Sequence, residues 1–301
     1  MEKAEVVIIG QGPAGLSAAI YTARAGLKTL VLGCDPKVAG DYDIDNYFGF
    51  PETITGKELI DRGVAQASRF GAEIRCERAL SIHYNDDETF MLKTEKGDVN
   101  ACALILATGV SRKKPAIENI GDFEGRGVSY CVSCDGYFFK GKKVLVIGEA
   151  NYAANQALEL LSYTPHVKIC TMGKAVTMGN EFRVSLNQAG IPLIEKKIRL
   201  LAGEKGLSRV VFEEGDEMEA EGMFIAMGDA TSSDFAYSLG IFTEGIFLKA
   251  DEEQKTNVPG IFAAGDCTGG FLQISVAVGE GAKAARSSIE YVKNICRKSK
   301  G

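Results

Sequence analysis

The chain has 301 residues, of which 46% are hydrophobic, and a formal net charge of −6. This length suggests about two domains, each with enough apolar side chains to bury a core. The negative charge argues against nonspecific nucleic-acid binding, and no apolar run approaches the ~20 residues of a membrane-spanning helix. The N-terminal residues lead straight into an apolar strand without a signal-peptide layout, so we expect a cytoplasmic protein with no membrane partner.

The first predicted unit is a strand, a glycine-rich turn and a helix. The strand Glu5–Ile9 is apolar, the turn Gly10–Gly15 is Gly-Gln-Gly-Pro-Ala-Gly, and Leu16–Ala25 has helical spacing. In this dinucleotide-binding pattern the first glycine permits the tight turn, the second admits a pyrophosphate, and the third lets helix and strand pack closely. The helix N-terminus receives the negative charge. We therefore interpret this segment as a nucleotide site rather than a structural turn.

The following segments extend the sheet of this first unit. A strand is predicted at Lys28–Leu32, and Asp35 beyond its end is a late candidate for binding a ribose. Residues 40–51 form a polar, aromatic loop. The further predicted elements are a helix over Gly56–Phe70 and strands at Ala72–Cys76, Ala79–Tyr84, Phe90–Thr94 and Ala103–Ala107, the last followed by Thr108-Gly109.

A pair of cysteines three positions apart comes next. The stretch Tyr130–Gly136 carries Cys131 and Cys134. Cysteines at this spacing can form a disulfide, and one thiolate can attack a partner while the other resolves the mixed disulfide. Because a disulfide carries two electrons, another part of the protein must supply or remove them.

A second strand, turn and helix follow from residue 144. The turn at residues 148–153 has Ala150 in place of the middle glycine, and Glu149 puts a carboxylate where a pyrophosphate would lie. Both changes oppose phosphate binding, one sterically and one electrostatically. The end of the next strand, Met172-Gly173-Lys174, offers no arginine for a 2′-phosphate. We interpret this unit as a scaffold for the cysteines rather than a nucleotide site.

The end of the chain is predicted to return to the first unit. Val258–Asp266 is typical of a turn and a buried strand with an acid at its C-terminal end, where ligands of such sheets bind. A mostly helical tail follows. The predicted fold is α/β, with two Rossmann-like nucleotide-binding domains of the three-layer ββα type, the second inserted into the first. The first domain is placed at residues 1–113 and 242–301, and the cysteine-bearing domain at 114–241.

The remaining cysteines lie far apart in the sequence, and we interpret them as small buried hydrophobic residues. They are Cys34, Cys76, Cys102, Cys170, Cys267 and Cys296. A zinc site would need a second pair or nearby histidines, and the only histidines are His83 and His166. We therefore predict no metal site.

Four segments in this order resemble the low-molecular-weight flavin thioredoxin reductases along nearly the whole chain. They are Gly10–Gly15, Ala107-Thr108-Gly109, Cys131–Gly136 and Gly260–Asp266. Members of that family bind FAD, reduce thioredoxin through a CxxC disulfide and are commonly homodimers. The resemblance implies the same cofactor, partner and assembly for this chain.

The resemblance also implies roles for individual residues. Cys134 would face the flavin, Cys131 would attack the disulfide of the partner, and Asp135 would carry a proton. The implied FAD site consists of Gly10, Gly12, Pro13, Ala14, Gly15, Asn46, Thr108, Gly109, Gly265, Asp266, Gln273 and Ile274. Within it the glycines hold the pyrophosphate, Asn46 lies near the flavin ring and Asp266 binds the ribityl chain. Of the family's Arg-Gln-Ala segment against the flavin, only Gln273 is retained.

The family's second glycine motif and its His-Arg-Arg segment for NADPH have no counterpart here. This pattern resembles the ferredoxin-dependent flavin thioredoxin reductases, which implies ferredoxin as electron donor. Plant-type ferredoxins have potentials near about −400 mV, and thioredoxin has one near about −270 mV. The gap of roughly 130 mV over two electrons corresponds to about 6 kcal/mol in the direction of thioredoxin reduction.

Three other functions stay open at this point. The protein could be a dithiol oxidase that passes electrons from small dithiols to oxygen, which rapid oxygen uptake with a dithiol would support. It could be a redox sensor whose disulfide switches a binding surface without turnover. It could also be an NADPH-dependent thioredoxin reductase with an atypical site, which flavin reduction by NADPH would reveal.

Overall fold

The computed structural model describes residues 2–40, 43–110, 115–130, 132–228 and 230–296. The chain divides into two compact units. Met1–Ser111 together with Thr231–Gly301 forms the first unit, and Arg112–Ala230 forms the second, which is inserted into the first.

The N-terminal part of the first unit alternates strands and helices. Its elements are β1 (Glu2–Ile9), α1 (Pro13–Arg24), β2 (Thr29–Leu32), β3 (Asp43–Ile44), β4 (Ile54–Thr55), α2 (Gly56–Arg69), β5 (Glu73–Arg75), β6 (Ala79–Tyr84), β7 (Phe90–Thr94) and β8 (Gly97–Leu106), with a 3-10 turn at Lys37–Ala39. The predicted strands β6 and β7 are confirmed at both ends. The strand predicted at Ala103–Ala107 is the second half of the longer β8, because residues 97–101 also pair with β7.

The C-terminal part of the chain completes the first unit. Its elements are α6 (Ser232–Leu239), β17 (Thr243–Glu244), β18 (Phe247–Leu248), β19 (Ile261–Ala263), a 3-10 turn at Asp266–Thr268, α7 (Ile274–Tyr291) and a π-helical turn at Val292–Cys296; the labels α3–α5 and β9–β16 belong to the second unit. The sheet runs β5-β2-β1-β8-β7-β6, with β19 also pairing with β8. Strands β1, β2, β5, β8 and β19 are parallel, so their C-terminal ends meet at one edge.

The second unit repeats the parallel pattern in smaller form. Its elements are a 3-10 turn at Ile120–Phe123, β9 (Val128–Ser129), α3 (Val132–Asp135), a 3-10 turn at Gly136–Phe139, β10 (Val144–Ile147), α4 (Asn151–Leu160), β11 (Val167–Cys170), α5 (Asn180–Gln188), β12 (Leu193–Ile194), β13 (Ile198–Ala202), β14 (Arg209–Phe212), β15 (Glu217–Glu219) and β16 (Gly222–Ile225). A parallel sheet has the order β12-β11-β10-β16-β9, and β13-β14-β15 form an antiparallel sheet. The predicted α/β class is confirmed.

The central parallel strands of both units form the cores. All four residues of β2 and all four of β10 are buried, as expected for strands covered on both faces. In the first unit α1 and α7 cross closely: a Cβ on Gly281 would lie 2.1 Å from the Ala14 carbonyl oxygen. The Ser17 hydroxyl also donates to the Val278 carbonyl at 2.8 Å. This crossing places the middle part of α7, around Val278 and Gly281, beside the start of α1.

The chain returns to the first unit at Thr231, which is earlier in the sequence than the pattern suggests. That pattern places the return to the first domain at residue 242. In the structure α6 already belongs to the first unit, because it packs against β6 and buries Phe235 and Ala236.

Four of the six dispersed cysteines, which the sequence pattern suggests are small buried hydrophobic residues, form disulfides in the structure. Disulfides join Cys34 to Cys76 and Cys102 to Cys296, across sequence separations of 42 and 194 residues. Cys34 and Cys76 follow the neighbouring strands β2 and β5, and Cys102 lies in β8, which the C-terminal turn contacts. Sequence spacing gives no sign of these contacts, because the sheet creates them.

Cys170 and Cys267 are free and buried, as predicted. Burial raises the thiol pKa of Cys170 to about 11 and that of Cys267 to about 12, so both stay protonated and unreactive near neutral pH. Among the residues that the structure describes, no group of three or more His, Cys, Asp or Glu could hold a metal ion. Within the same residues, no helix has both the length and the apolar character needed to cross a membrane.

Candidate functional site

The first glycine turn lies at the C-terminal edge of the parallel sheet of the first unit. Gly10 has φ +122°, and a Cβ there would lie 2.1 Å from the Ala107 carbonyl oxygen. A Cβ on Gly15 would lie 1.9 Å from the Gly10 carbonyl oxygen. Both positions therefore exclude a side chain, the first to let the turn pass β8 and the second to let α1 pack on it.

Gly12 differs from the other two glycines of the turn. A Cβ built on Gly12 meets no protein atom within 4 Å, so the space beside it is open. Gly12 is the N-cap of α1, Pro13 occupies the first turn, and that turn has no acidic residue and no side-chain cap. The free N–H groups and the helix dipole there suit a pyrophosphate. Ala14 and Gly15 are buried behind the turn.

The acid after β19 lies at the same sheet edge. Asp266 opens a 3-10 turn and is half-buried, and Gly265 before it has φ +81°. The Gly265 N–H donates to Glu280 Oε2 at 2.7 Å, and the Thr268 hydroxyl donates to the same oxygen at 3.1 Å. Glu280 therefore holds this turn in place. Sequence reasoning does not single out Glu280, because a glutamate within a helix is usually an exposed surface residue.

The structure brings Asn46 and Gln273 into contact, although 227 residues separate them. The Asn46 amide Nδ2 donates to Gln273 Oε1 at 3.1 Å. Gln273 is the N-cap of α7, and Ile274 is its first residue. Phe48 and Phe271 lie next to them in sequence and have 96% and 74% of their surface exposed. This end of the first unit therefore offers amide groups and exposed aromatic side chains.

Thr108 and Gly109 follow β8 and are half-buried at the same edge. Strand β8 lies between β1 and β19, so this pair is placed between the glycine turn and Asp266. All the predicted cofactor residues except Asn46 thus come from the C-terminal ends of parallel strands or from the helices that follow them.

The CxxC segment is described in part. Cys131 lies outside the described residues, and Cys134 belongs to α3, but its side chain lies outside the described part of the molecule. Asp135 is half-buried, and its Oδ2 accepts a hydrogen bond of 2.6 Å from the hydroxyl of the buried Ser129. Sequence reasoning misses Ser129, because a serine ending a short strand carries no motif.

Gly136 completes the segment and packs against an aromatic ring. A Cβ there would lie 2.6 Å from Cε2 of Tyr163. The Tyr130 hydroxyl on the other side of the cysteines donates to Glu124 at 2.6 Å. Both flanks of the CxxC segment are therefore held by contacts within the second unit.

The second glycine turn has the backbone of the first but carries different side chains. A Cβ on Gly148 would lie 2.2 Å from the Ala226 carbonyl oxygen, as Gly10 approaches Ala107. Ala150 takes the place of Gly12 as the N-cap of the following helix. The Glu149 side chain is only 12% exposed, and its Oε1 accepts a hydrogen bond of 3.1 Å from Lys174 Nζ.

The segment after β11 also folds onto this turn. The Thr177 N–H donates to the Glu149 carbonyl at 2.8 Å, and the Thr177 hydroxyl donates to the same oxygen at 3.2 Å. The Gly179 N–H donates to Asn151 Oδ1 at 2.7 Å. In the second unit the residues on either side of Ala150, Glu149 and Asn151, are therefore bonded to the segment after β11.

Comparisons with known proteins agree with this arrangement of two related units. The family model described as pyridine nucleotide-disulphide oxidoreductase matches residues 4–281. A thioredoxin reductase from Bacillus subtilis (strain 168) is 34% identical over 303 residues, which cover 97% of this chain and 95% of the relative.

Two solved structures are also similar. The crystal structure of the atypical thioredoxin reductase TRi from Desulfovibrio vulgaris Hildenborough has a TM-score of 0.96 and 63% identity, and covers 97% of this chain and 99% of that chain. A ferredoxin-flavin thioredoxin reductase from Clostridium acetobutylicum has a TM-score of 0.73 and 29% identity, with coverage of 97% and 99%. The chain therefore belongs to the pyridine nucleotide-disulphide oxidoreductase family and is a disulfide oxidoreductase of the thioredoxin reductase type.

Proposed function

We propose that this protein passes electrons from reduced ferredoxin, through FAD and the CxxC disulfide, to thioredoxin. The observation that carries the choice of donor is the second glycine turn, where Lys174, Thr177 and Gly179 bond to the turn itself. A pyridine nucleotide would have to displace these groups and place its diphosphate beside the Glu149 carboxylate. A disulfide reductase without that donor needs another source of electrons.

The first unit has the features that FAD requires. The open space at Gly12 and the uncapped start of α1 suit the pyrophosphate, with Gly10, Pro13, Ala14 and Gly15 shaping the turn. FAD, when bound, supplies a centre that accepts electrons singly and passes them on in pairs, as a one-electron donor and a disulfide demand.

Other residues of the first unit would contact the remaining parts of FAD. Asp266, with Gly265 behind it, is placed to bind the ribityl chain, and Thr108 and Gly109 line the same edge. The hydrogen-bonded pair of Asn46 and Gln273, together with Ile274, would lie along the ring system.

The two cysteines of the second unit would have different roles in the reaction. Cys131 attacks the thioredoxin disulfide, which forms a mixed disulfide and releases one thioredoxin thiolate. Cys134 then attacks Cys131, so that the second thioredoxin sulfur leaves and the CxxC disulfide forms again. Two electrons and two protons reach thioredoxin in each cycle. Asp135, held by Ser129, would carry a proton to the departing thiolate. We propose a homodimer as the assembly.

We expect anaerobic titrations to identify the donor. Reduced ferredoxin should bleach the flavin absorbance and sustain thioredoxin reduction, whereas NADPH and NADH should do neither. An NADPH-dependent thioredoxin reductase in the same cuvette serves as control. Rapid bleaching by NADPH would contradict the proposed donor. If reduced ferredoxin fails and a small dithiol drives oxygen uptake instead, the protein is a dithiol oxidase.

Ser129→Ala should lower thioredoxin turnover about tenfold, because a hydrogen bond to a charged group is worth about 1.5–3 kcal/mol. Ser129 is a positioning residue that acts through Asp135, so kcat should fall while KM for thioredoxin stays constant. Steady-state kinetics measure both constants. The matched control is Ser185→Ala, whose hydroxyl donates to its own helix at Glu181. A Ser129→Ala enzyme with normal kcat would remove this role from the mechanism.

A further inference from the structure

The Cys34–Cys76 disulfide lies at the ligand-binding edge of the first unit. Leu32 at the end of β2 pairs with Arg75 at the end of β5, and each cysteine follows shortly after its strand. The two Cα atoms are 4.6 Å apart. In dinucleotide folds the residues just after the second strand contact the ribose of the nucleotide. This disulfide therefore occupies a position that a bound dinucleotide would approach.

Cys76 is an exposed residue, which distinguishes this disulfide from the other one. Cys76 is exposed and Cys34 is half-buried. In the second disulfide Cys102 has only 7% of its surface exposed, and Cys296 is half-buried. Because thiol–disulfide exchange requires a thiolate to reach one sulfur, the two disulfides should differ in their rate of reaction with a protein dithiol.

The residue before Cys76 is bonded directly to the glycine turn. The Arg75 carbonyl oxygen accepts hydrogen bonds from Gln11 Nε2 at 2.8 Å and from the Gly33 N–H at 3.2 Å. Gln11 lies within the turn that we assign to the pyrophosphate. The Arg75 guanidinium also pairs with Glu2 at 2.7 Å.

Strand β5 has only three residues and forms the outer edge of the sheet. The disulfide therefore ties the end of this short edge strand to the end of β2, and the Arg75 carbonyl ties the same strand to the glycine turn.

We propose that Cys34–Cys76 is a second thiol–disulfide exchange site, opened by a protein dithiol of the CxxC type, and that opening it loosens the hold of the first unit on its dinucleotide. A thiolate of the dithiol attacks the Cys76 sulfur, which forms a mixed disulfide and releases the Cys34 thiolate. The second thiol of the dithiol then releases Cys76. The dithiol is oxidised to a disulfide, and the pair gains two electrons and two protons. The exchange is independent of the proposed function, whereas the effect on the dinucleotide rests on it.

The exchange is tested in the full-length Cys131→Ser/Cys134→Ser variant, which lacks the CxxC disulfide. The protein is incubated with reduced thioredoxin, quenched with an alkylating reagent and analysed by peptide mass. We expect Cys34 and Cys76 to be labelled at least about tenfold faster than Cys102 and Cys296, because exchange follows access to the sulfur. The Cys102–Cys296 disulfide is the control within the same chain. Equal labelling of both disulfides, or none at Cys34 and Cys76, would overturn the exchange site.

The effect on the dinucleotide is read from the fluorescence of released FAD. Reduced thioredoxin should speed FAD release several-fold from the Cys131→Ser/Cys134→Ser protein. A variant that also carries Cys34→Ala and Cys76→Ala should release FAD at that faster rate without any dithiol. If FAD is released at the same rate whether this disulfide is closed, reduced or removed, the coupling is overturned. A protein that binds no FAD would instead contradict the proposed function, and the labelling result would still decide the exchange site.

Discussion

Gly12→Val should give a folded protein that has lost FAD. Gly12 has φ −75° and ψ −179°, an extended conformation that valine adopts readily, and no protein atom lies near its missing Cβ. The added methyl groups would instead occupy the space assigned to the pyrophosphate. A clash of this kind costs about 3 kcal/mol, or roughly a hundredfold in affinity. The protein should purify colourless with an unchanged far-ultraviolet circular dichroism spectrum.

The second glycine turn provides the matched control for this variant. Ala150 is also the N-cap of a helix and has an equally extended backbone, with φ −114° and ψ −178°. Ala150→Val should therefore retain a full complement of FAD, because we assign no nucleotide to the second turn. Gly12→Val protein with one FAD per chain would show that the pyrophosphate does not lie against α1.

Cys131→Ser and Cys134→Ser should each reduce thioredoxin turnover to the background rate, because neither variant can form the intramolecular disulfide that completes the cycle. The two variants should differ in their intermediates. Cys131→Ser leaves the sulfur assigned to the flavin, so a long-wavelength charge-transfer band is expected in its absorption spectrum. Cys134→Ser leaves the attacking sulfur without its resolving partner, so it should trap thioredoxin as a mixed disulfide visible on a non-reducing gel.

Ser133→Ala is the control for these variants, since it changes the residue between the cysteines without removing a sulfur. It should keep turnover close to that of the parent protein. If Cys134→Ser shows the charge-transfer band and Cys131→Ser traps thioredoxin, the assignment of the two sulfurs is reversed. Wild-type turnover in either cysteine variant would remove the CxxC pair from the reaction.

The contrast between the two glycine turns links these predictions to the choice of electron donor. Both turns pass a carbonyl group of the neighbouring strand at nearly the same distance, 2.1 Å from Gly10 and 2.2 Å from Gly148 for a built Cβ. The backbone of the second unit thus keeps the shape of a nucleotide turn. The difference lies in the side chains, because Ala150 carries a Cβ at the position of Gly12, and Lys174 pairs with one oxygen of Glu149.

Local patterns in the sequence were sufficient to predict the two turns and the fold class. A glycine turn depends on the backbone conformation of a few consecutive residues, and a strand is a short apolar or alternating run. Both signals are contained in neighbouring residues, so Gly10–Gly15 and the strands β6 and β7 are readable without the structure. The spacing of the CxxC pair is local in the same way.

Only the tertiary structure shows which residues distant in sequence are in contact. The hydrogen bond between Asn46 and Gln273, the ion pair of Glu149 with Lys174, and the Cys34–Cys76 disulfide join segments that no local pattern connects. A parallel sheet returns each strand to the same edge after a long crossover, so the ends of its strands meet whatever their separation along the chain. The sequence by itself therefore determined the fold class, and the tertiary structure decided which distant side chains come into contact.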